Sequence, residues 1–294
     1  NAVVYEGATV VFADVHKETM NIDVTKIEDL ITPLTKAIIA VDMCGQPCDY
    51  DPLLKICREH NLILIEDAAH SLGASYKNRK VGNIADLTCF SFHPVKNITT
   101  GEGGMVMTND EALYKRACRA RCHGIDRDYK SRESLSTHRY DIVDMGYNHR
   151  LTDIQCALGF SQMKKLTSFI QRRNEIANAY ANAFRSCPSV STIDDIDGVV
   201  NAHHLTVIRL NLGFLTCNRD QFFAALKGEN IGVNVHYVPV HTMTYYQSKS
   251  FKGAYTSPSL CPNAAALYTE IISLPCFPLM TDDDVQDVIA AVYK

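Results

Sequence analysis

The sequence predicts an α/β fold, with a large domain on a mostly parallel sheet followed by a smaller α+β domain. Two observations predict it. Up to about residue 110, short runs rich in apolar and β-branched residues alternate with amphipathic helical stretches, the pattern of strand–helix–strand units. The apolar runs also lack strict alternation, as expected of strands covered on both faces.

Taken in order, "TVVFADV" (9–15), "AIIAVDM" (37–43), "LILIED" (62–67), "LTCFSFH" (87–93) and "GMVMTND" (104–110) read as strands. Between the first three lie helical segments, "TKIEDLI" (25–31) and "DPLLKICREH" (51–60). In the second, Asp51 is the candidate N-cap and Pro52 takes the first helical position, where its missing N–H costs nothing. "TDIQCALGFSQMKKLTSFIQRRNEIANAYANAF" (152–184) is proline-free and rich in helix formers, and it reads as one long helix bridging two domains until Cys187-Pro188 ends it. Beyond it, "HLTVIRLN" (204–211) and "GVNVHYVPV" (232–240) are strand candidates, with a helix from Asn218 to Lys227. A last helix opens at "TDDDVQDVIAAVY", with Thr281 as cap and three acids in its first turn. The expected division is a large α/β domain over 1–165, a bridging helix over 166–187 and a small α+β domain over 188–294.

Bulk properties exclude several classes. A net charge of −4 over 294 residues points to neither nucleic acid nor an anionic membrane as a partner. No apolar run approaches the roughly 20 residues that span a bilayer, and residues 1–15 lack the features of a signal peptide. Eleven scattered cysteines read as free thiols in a reducing compartment, so the expectation is a cytoplasmic protein. Cys44 with Cys48, and Cys118 with Cys122 near His123, do not form paired C-x-x-C motifs, and no metal is expected.

Two stretches carry the chemistry. In "LILIEDAAHSLGA" (62–74), Asp67 falls at the carboxyl end of a strand, where open α/β sheets bind ligands, although a helix N-cap or a magnesium ligand would suit the same position. In "FSFHPVKNITTGEGG" (90–104), Lys96 follows the next strand in a loop whose glycines at 101, 103 and 104 let backbone approach a ligand. A lysine and an acid at neighbouring strand ends point to pyridoxal phosphate. The amine can form a Schiff base with the aldehyde, while the carboxylate keeps the pyridine nitrogen protonated.

Together "EDAAHSLGA", "SFHPVKNITTGEGG", "GYNHRLTDIQCALG" and "VHYVPVH" resemble the DegT/DnrJ/EryC1/StrS sugar-nucleotide aminotransferases, in the family's order and along the whole chain. The resemblance implies the aspartate-aminotransferase-like fold type I of PLP-dependent transferases. Within the family, "EDAAH" and "SFHPVKNITT" are similar to the branch acting on UDP-linked 4-keto sugars, including the transaminases of pseudaminic acid and of 4-amino-4-deoxy-L-arabinose synthesis. The implied activity is transfer of an amino group, from glutamate, to C4 of a UDP-4-keto-6-deoxy-N-acetylhexosamine.

By position, the resemblance makes Lys96 the Schiff-base lysine and Asp67 the partner of the pyridine nitrogen. It sets His70 near the cofactor's phenolic oxygen, where a helix-capping histidine is the rival reading. Ser91 would contact phosphate or substrate. Asn148 would reach the phosphate in a neighbouring subunit's site, which implies a homodimer with shared sites. His236 and Tyr237 would line the sugar-nucleotide pocket. The start, "NAVVYEGATVV", resembles a point well inside the family's sequence, so the expectation is that an N-terminal part is missing, including a phosphate-cradling loop.

Three rivals weigh less. A related sugar dehydratase would need histidine where Lys96 stands. A non-catalytic nucleotide-sugar binder would have no need of both Asp67 and Lys96. A nicotinamide dehydrogenase fails because "GEGGMV" does not supply G-x-G-x-x-G between strand and helix.

Overall fold

The structure, a computed structural model, describes residues 1–127, 129–248 and 260–294. The central sheet has the order β1 (Ala37–Val41), β2 (Ile63–Asp67), β5 (Leu87–Ser91), β6 (Gly104–Met107). The first three run parallel and β6 closes the edge antiparallel. Val41 pairs with Asp67 and Asp67 with Cys89, so Asp67 stands between two strands at their shared carboxyl end. Between β2 and β5, the two-residue strands β3 (Ser75–Tyr76) and β4 (Arg79–Lys80) form a small sheet with β8 (Val199–Val200).

On this sheet packs α2 (Tyr50–His60), burying Tyr50, Leu53, Ile56 and Cys57. With Ala40, Leu64, Tyr76, Phe90 and Ile98 they form the first core. Each large side chain wholly removed from water there contributes about 1.5–3 kcal/mol.

A second core lies in the C-terminal half. Its antiparallel sheet has the order β10 (Ile271–Leu274), β9 (Thr206–Leu210), β7 (Val190–Thr192). Onto it pack α6 (Leu166–Phe184), α7 (Arg219–Gly228) and α10 (Asp282–Tyr293) through Ile176, Tyr180, Phe184, Leu226, Val285 and Val288. Because α6 also puts Ile170 into the first core, one helix is common to both. Other helices among the described residues are the short α1 (Ala2–Tyr5), α4 (Tyr129–Ser134), α8 (Thr244–Gln247) and α9 (Pro262–Tyr268), and the longer α3 (Glu111–Arg121).

Several expected elements differ. Residues 9–15 form no strand; only Val15 makes a bridge, to Ile22. Asp14 explains this, because its carboxylate accepts from the N–H groups of Asn263 and Ala264, at 3.0 Å each, and so ties the segment to the first turn of α9. Residues 25–31 make two 3₁₀ turns, Val24–Lys26 and Glu28–Leu30, too short a stretch to nucleate an α-helix. Helix α2 starts two residues earlier than expected, with Asp49 rather than Asp51 at the cap position, and Asp51 turns outward to Lys77 and Arg79 at 2.7 and 2.9 Å.

The long helix is two, α5 (Asp153–Met163) and α6, and the second ends at Phe184, ahead of Cys187-Pro188. The break lets α5 lie against the loop after Lys96. There Gln155 Nε2 donates to the Glu102 carbonyl at 2.9 Å, and a side chain at Gly159 would come within 2.8 Å of Thr100. Residues 232–240 touch the second sheet at one bridge, Asn234 to Ser273, and then leave it. The helices opening at Thr281 and Asn218 form as expected, each with a reciprocal capping box.

Candidate active site

The first turn beyond β2 is held locally. Asp67 Oδ1 accepts from the Ala69 N–H at 3.1 Å, and the Ala68 N–H donates to the Cys89 carbonyl at 2.9 Å. This fixes His70 three residues on, almost fully buried. One strand further, β5 ends at Ser91, whose Oγ accepts from the His93 N–H at 3.4 Å. Pro94 stops the ladder, and the chain turns so that the Lys96 N–H donates to the His93 carbonyl at 3.0 Å. The backbone returns at Thr100, whose N–H reaches the Phe92 carbonyl at 3.1 Å. Gly103, at φ +157°, permits this return, since a Cβ there would meet Thr100 Oγ1 at 2.4 Å.

Lys96 opens into a cavity of about 780 Å³ between the two cores, whose walls include Phe169, Arg173, His204, His236 and Tyr237. Burial pushes the Lys96 amine below the usual lysine range, while the nearby Asp67 carboxylate pulls the other way. His70 is pushed down to about 3, by burial first and then by the charges of Lys96 and His236. Its ring lies 4.4 Å from that of His204 and 6.4 Å from that of Tyr237, centroid to centroid. Burial, with the charges around it, pushes His204 down to about 2. His236 is anchored to Ser273 Oγ at 2.8 Å.

Of the residues expected from the sequence, Lys96, His236 and Tyr237 line the cavity. Asp67 and His70 are not among its lining residues, but the Asp67 carboxylate acts on the Lys96 amine and the His70 ring lies 4.4 Å from that of His204, tilted against it. Ser91 sits at the strand end beside them. Asn148 is elsewhere: exposed, bridged to Cys122 and accepting from Arg150 Nε at 3.1 Å. Sequence reasoning missed His204 and Arg173. The signal for His204 was two consecutive histidines immediately ahead of an apolar strand. Arg173 gave none, because a charged residue within a long helix ordinarily faces water.

Arg173 is nearly sealed from solvent, and its Nη1 donates to the carbonyls of His203, His204 and Cys276 at 3.1, 3.1 and 2.6 Å. It ties α6 to the segments that enter β9 and leave β10, so the wall bearing His204 is rigidly placed.

An amine, a carboxylate beside it, and imidazoles forced neutral form the donor set of a pyridoxal phosphate site. The buried Nδ1 atoms of His70 and His204 have no partner among the described residues, as expected of a wall built for a polar group. Residues 1–293 match the model of the DegT/DnrJ/EryC1/StrS aminotransferase family. The chain belongs to this family. The spore coat polysaccharide biosynthesis protein SpsC of Bacillus subtilis is 42% identical, over 99% of this chain and 75% of SpsC. The UDP-4-amino-4,6-dideoxy-N-acetyl-beta-L-altrosamine transaminase of Campylobacter jejuni is 39% identical, over 98% and 73%. The solved structure of Helicobacter pylori PseC, an aminotransferase of pseudaminic acid biosynthesis, superposes with a TM-score of 0.88 at 34% identity, covering 99% of this chain and 74% of that one. The fold is therefore that of fold type I aminotransferases, and the cofactor is pyridoxal phosphate. Among the described residues no helix is long and apolar enough to cross a membrane.

Proposed function

We propose that this sugar aminotransferase moves an amino group from glutamate to the C4 ketone of a UDP-linked 4-keto-6-deoxy-N-acetylhexosamine. The observation that carries the reading is the juxtaposition of a partly desolvated Lys96 with Asp67 at one end of the parallel sheet, opening on a cavity of about 780 Å³. Bound there, pyridoxal phosphate supplies the electron sink.

The chain's own residues do the rest. Lys96 would hold the cofactor through its amine and, when free, would serve as the base that moves a proton during the amino transfer. Its lowered pKa raises the fraction of free base, which the proton transfer needs. Asp67 keeps a proton on the pyridine nitrogen. His70, neutral across the working range, offers a hydrogen bond to the phenolic oxygen without adding charge. Ser91 binds phosphate or substrate, and His236 and Tyr237 contact the sugar nucleotide. Asn148 reaches the phosphate of a second copy's site, so the working unit is a homodimer.

The test is product analysis with glutamate and a panel of UDP-4-keto sugars. Amination of the N-acetylhexosamine supports the reading. Because the SpsC relative is named for a different polysaccharide, the panel includes a UDP-4-keto pentose, and exclusive amination of that sugar would transfer the assignment to it.

A further inference from the structure

Directly beneath Asp67 lies a second pair of acids that the proposed chemistry does not use. Asp42 follows β1 and Glu66 precedes Asp67 on β2, and both are fully buried. Asp42 Oδ1 accepts from the Cys48 N–H at 2.9 Å and the Tyr50 hydroxyl at 2.5 Å, and Oδ2 accepts from the Ser71 hydroxyl at 2.6 Å. Its backbone N–H donates to the Asp67 carbonyl at 3.1 Å. Glu66 Oε2 accepts from Thr88 Oγ1 at 2.5 Å and from the Gly82 N–H at 3.3 Å. Glu66 Oε1 is buried with no partner as an acceptor, but it belongs to a carboxyl that interacts with Asp42 and Tyr50. An orphan carboxylate oxygen facing a second carboxylate in the interior is costly, and one proton between them removes both penalties.

We propose that Asp42 and Glu66 share one proton and act as positioning residues, clamping the ends of β1 and β2 and, through Ser71, the turn that presents Asp67 and His70. The other titratable groups facing the pair are Cys48 just ahead of α2, Tyr50 at its start and Cys89 from β5, each itself pushed up by burial. Among the described residues neither acid forms an ion pair with a lysine, arginine or histidine, and the partners of both carboxylates are neutral groups. Burial first, then the Glu66 charge, raises Asp42 from 3.8 to about 7, and burial raises Glu66 as well. The folded chain therefore keeps a proton that the unfolded chain releases near pH 3.8. The clamp's contribution to stability is full below that value and is lost as pH rises through about 7.

The shared proton stands apart from the cofactor reading, while the clamp's effect on catalysis rests on it. The test uses Glu66→Gln, whose amide N–H can donate to Asp42 as the proton would, with Glu66→Ala as contrast. In the cofactor-free protein at pH 6 the infrared spectrum should show the carbonyl band of a buried protonated carboxyl, absent in Glu66→Gln. Glu66→Gln should also abolish the loss of thermal stability between pH 4 and 7, whereas Glu66→Ala should lower stability throughout. Ser71→Ala should weaken pyridoxal phosphate binding roughly tenfold, the worth of one buried hydrogen bond. The parent's affinity should fall as pH passes 7, and that of Glu66→Gln should not. A missing band, or one that persists in Glu66→Gln, would overturn the shared proton. Unchanged affinity in Ser71→Ala would overturn the positioning role. If the cofactor proves to be held by a lysine other than Lys96 while the infrared result stands, the site reading fails and the acid pair survives.

Discussion

The imidazoles of His70 and His204 lie 4.4 Å apart at a tilt of 40°, one carried by the turn after β2 and the other by the segment entering β9. This contact joins the two halves of the molecule at the cavity. It requires both rings to be neutral, since two buried imidazolium ions at that separation would repel strongly.

A pH prediction follows. Both histidines would titrate near 6.5 unfolded, and the fold holds them at about 3 and about 2. Their contribution to stability is complete above pH 6.5 and is lost as pH falls below it toward about 3. His204→Gln should make the acid limb of the thermal midpoint against pH shallower. This limb slopes oppositely to the one from Asp42, so the two single variants separate them. An acid limb unaltered in His204→Gln would show that this imidazole is not the group being protonated.

Asp67→Asn should retain some bound cofactor but lose transamination by about a hundredfold or more, because an amide cannot electrostatically hold a proton on the pyridine nitrogen. Steady-state turnover with glutamate measures it. Near-parental turnover would remove Asp67 from the role.

Arg173→Leu should cost ~3 kcal/mol or more, since the carbonyls of His203, His204 and Cys276 would lose a donor in a buried site. Arg173→Lys, with its single ammonium, should recover part of this. Denaturant midpoints of the two variants provide the comparison, and equal, small losses would contradict the tie.

A milder change is expected at the last helix. Thr281 Oγ1 accepts from the Asp284 N–H at 3.1 Å, while Asp284 accepts from the Thr281 N–H at 2.8 Å. Thr281→Ala should cost ~1 kcal/mol and lower the thermal midpoint by roughly 2–4 °C. No measurable shift would show that the cap does not limit unfolding.

What could be read in the sequence was whatever local pattern decides. The strands of the parallel sheet are apolar runs with little alternative, and Asp67 and Lys96 are placed by strand ends rather than by distant contacts. What could not be read depends on partners far along the chain. Residues 9–15 have the composition of a strand, yet Asp14 is claimed by α9 some 250 residues later. The division of 152–184 into two helices accompanies a close approach between Gly159 of α5 and Thr100, a contact with a distant loop. His204 becomes part of the site only because Arg173 and β9 bring it against His70. Nothing in the sequence singled out Asp42 and Glu66, because only the parallel pairing of β1 with β2 buries them together.

The central claim is that Lys96, presented beside Asp67, carries the cofactor. Borohydride reduction of the pyridoxal phosphate-loaded protein, followed by proteolysis and mass mapping, tests it most directly. The account predicts a pyridoxyl group on Lys96 alone, and none on that peptide in Lys96→Ala. A pyridoxyl group on any other lysine of the parent protein, with Lys96 unlabelled, would contradict it.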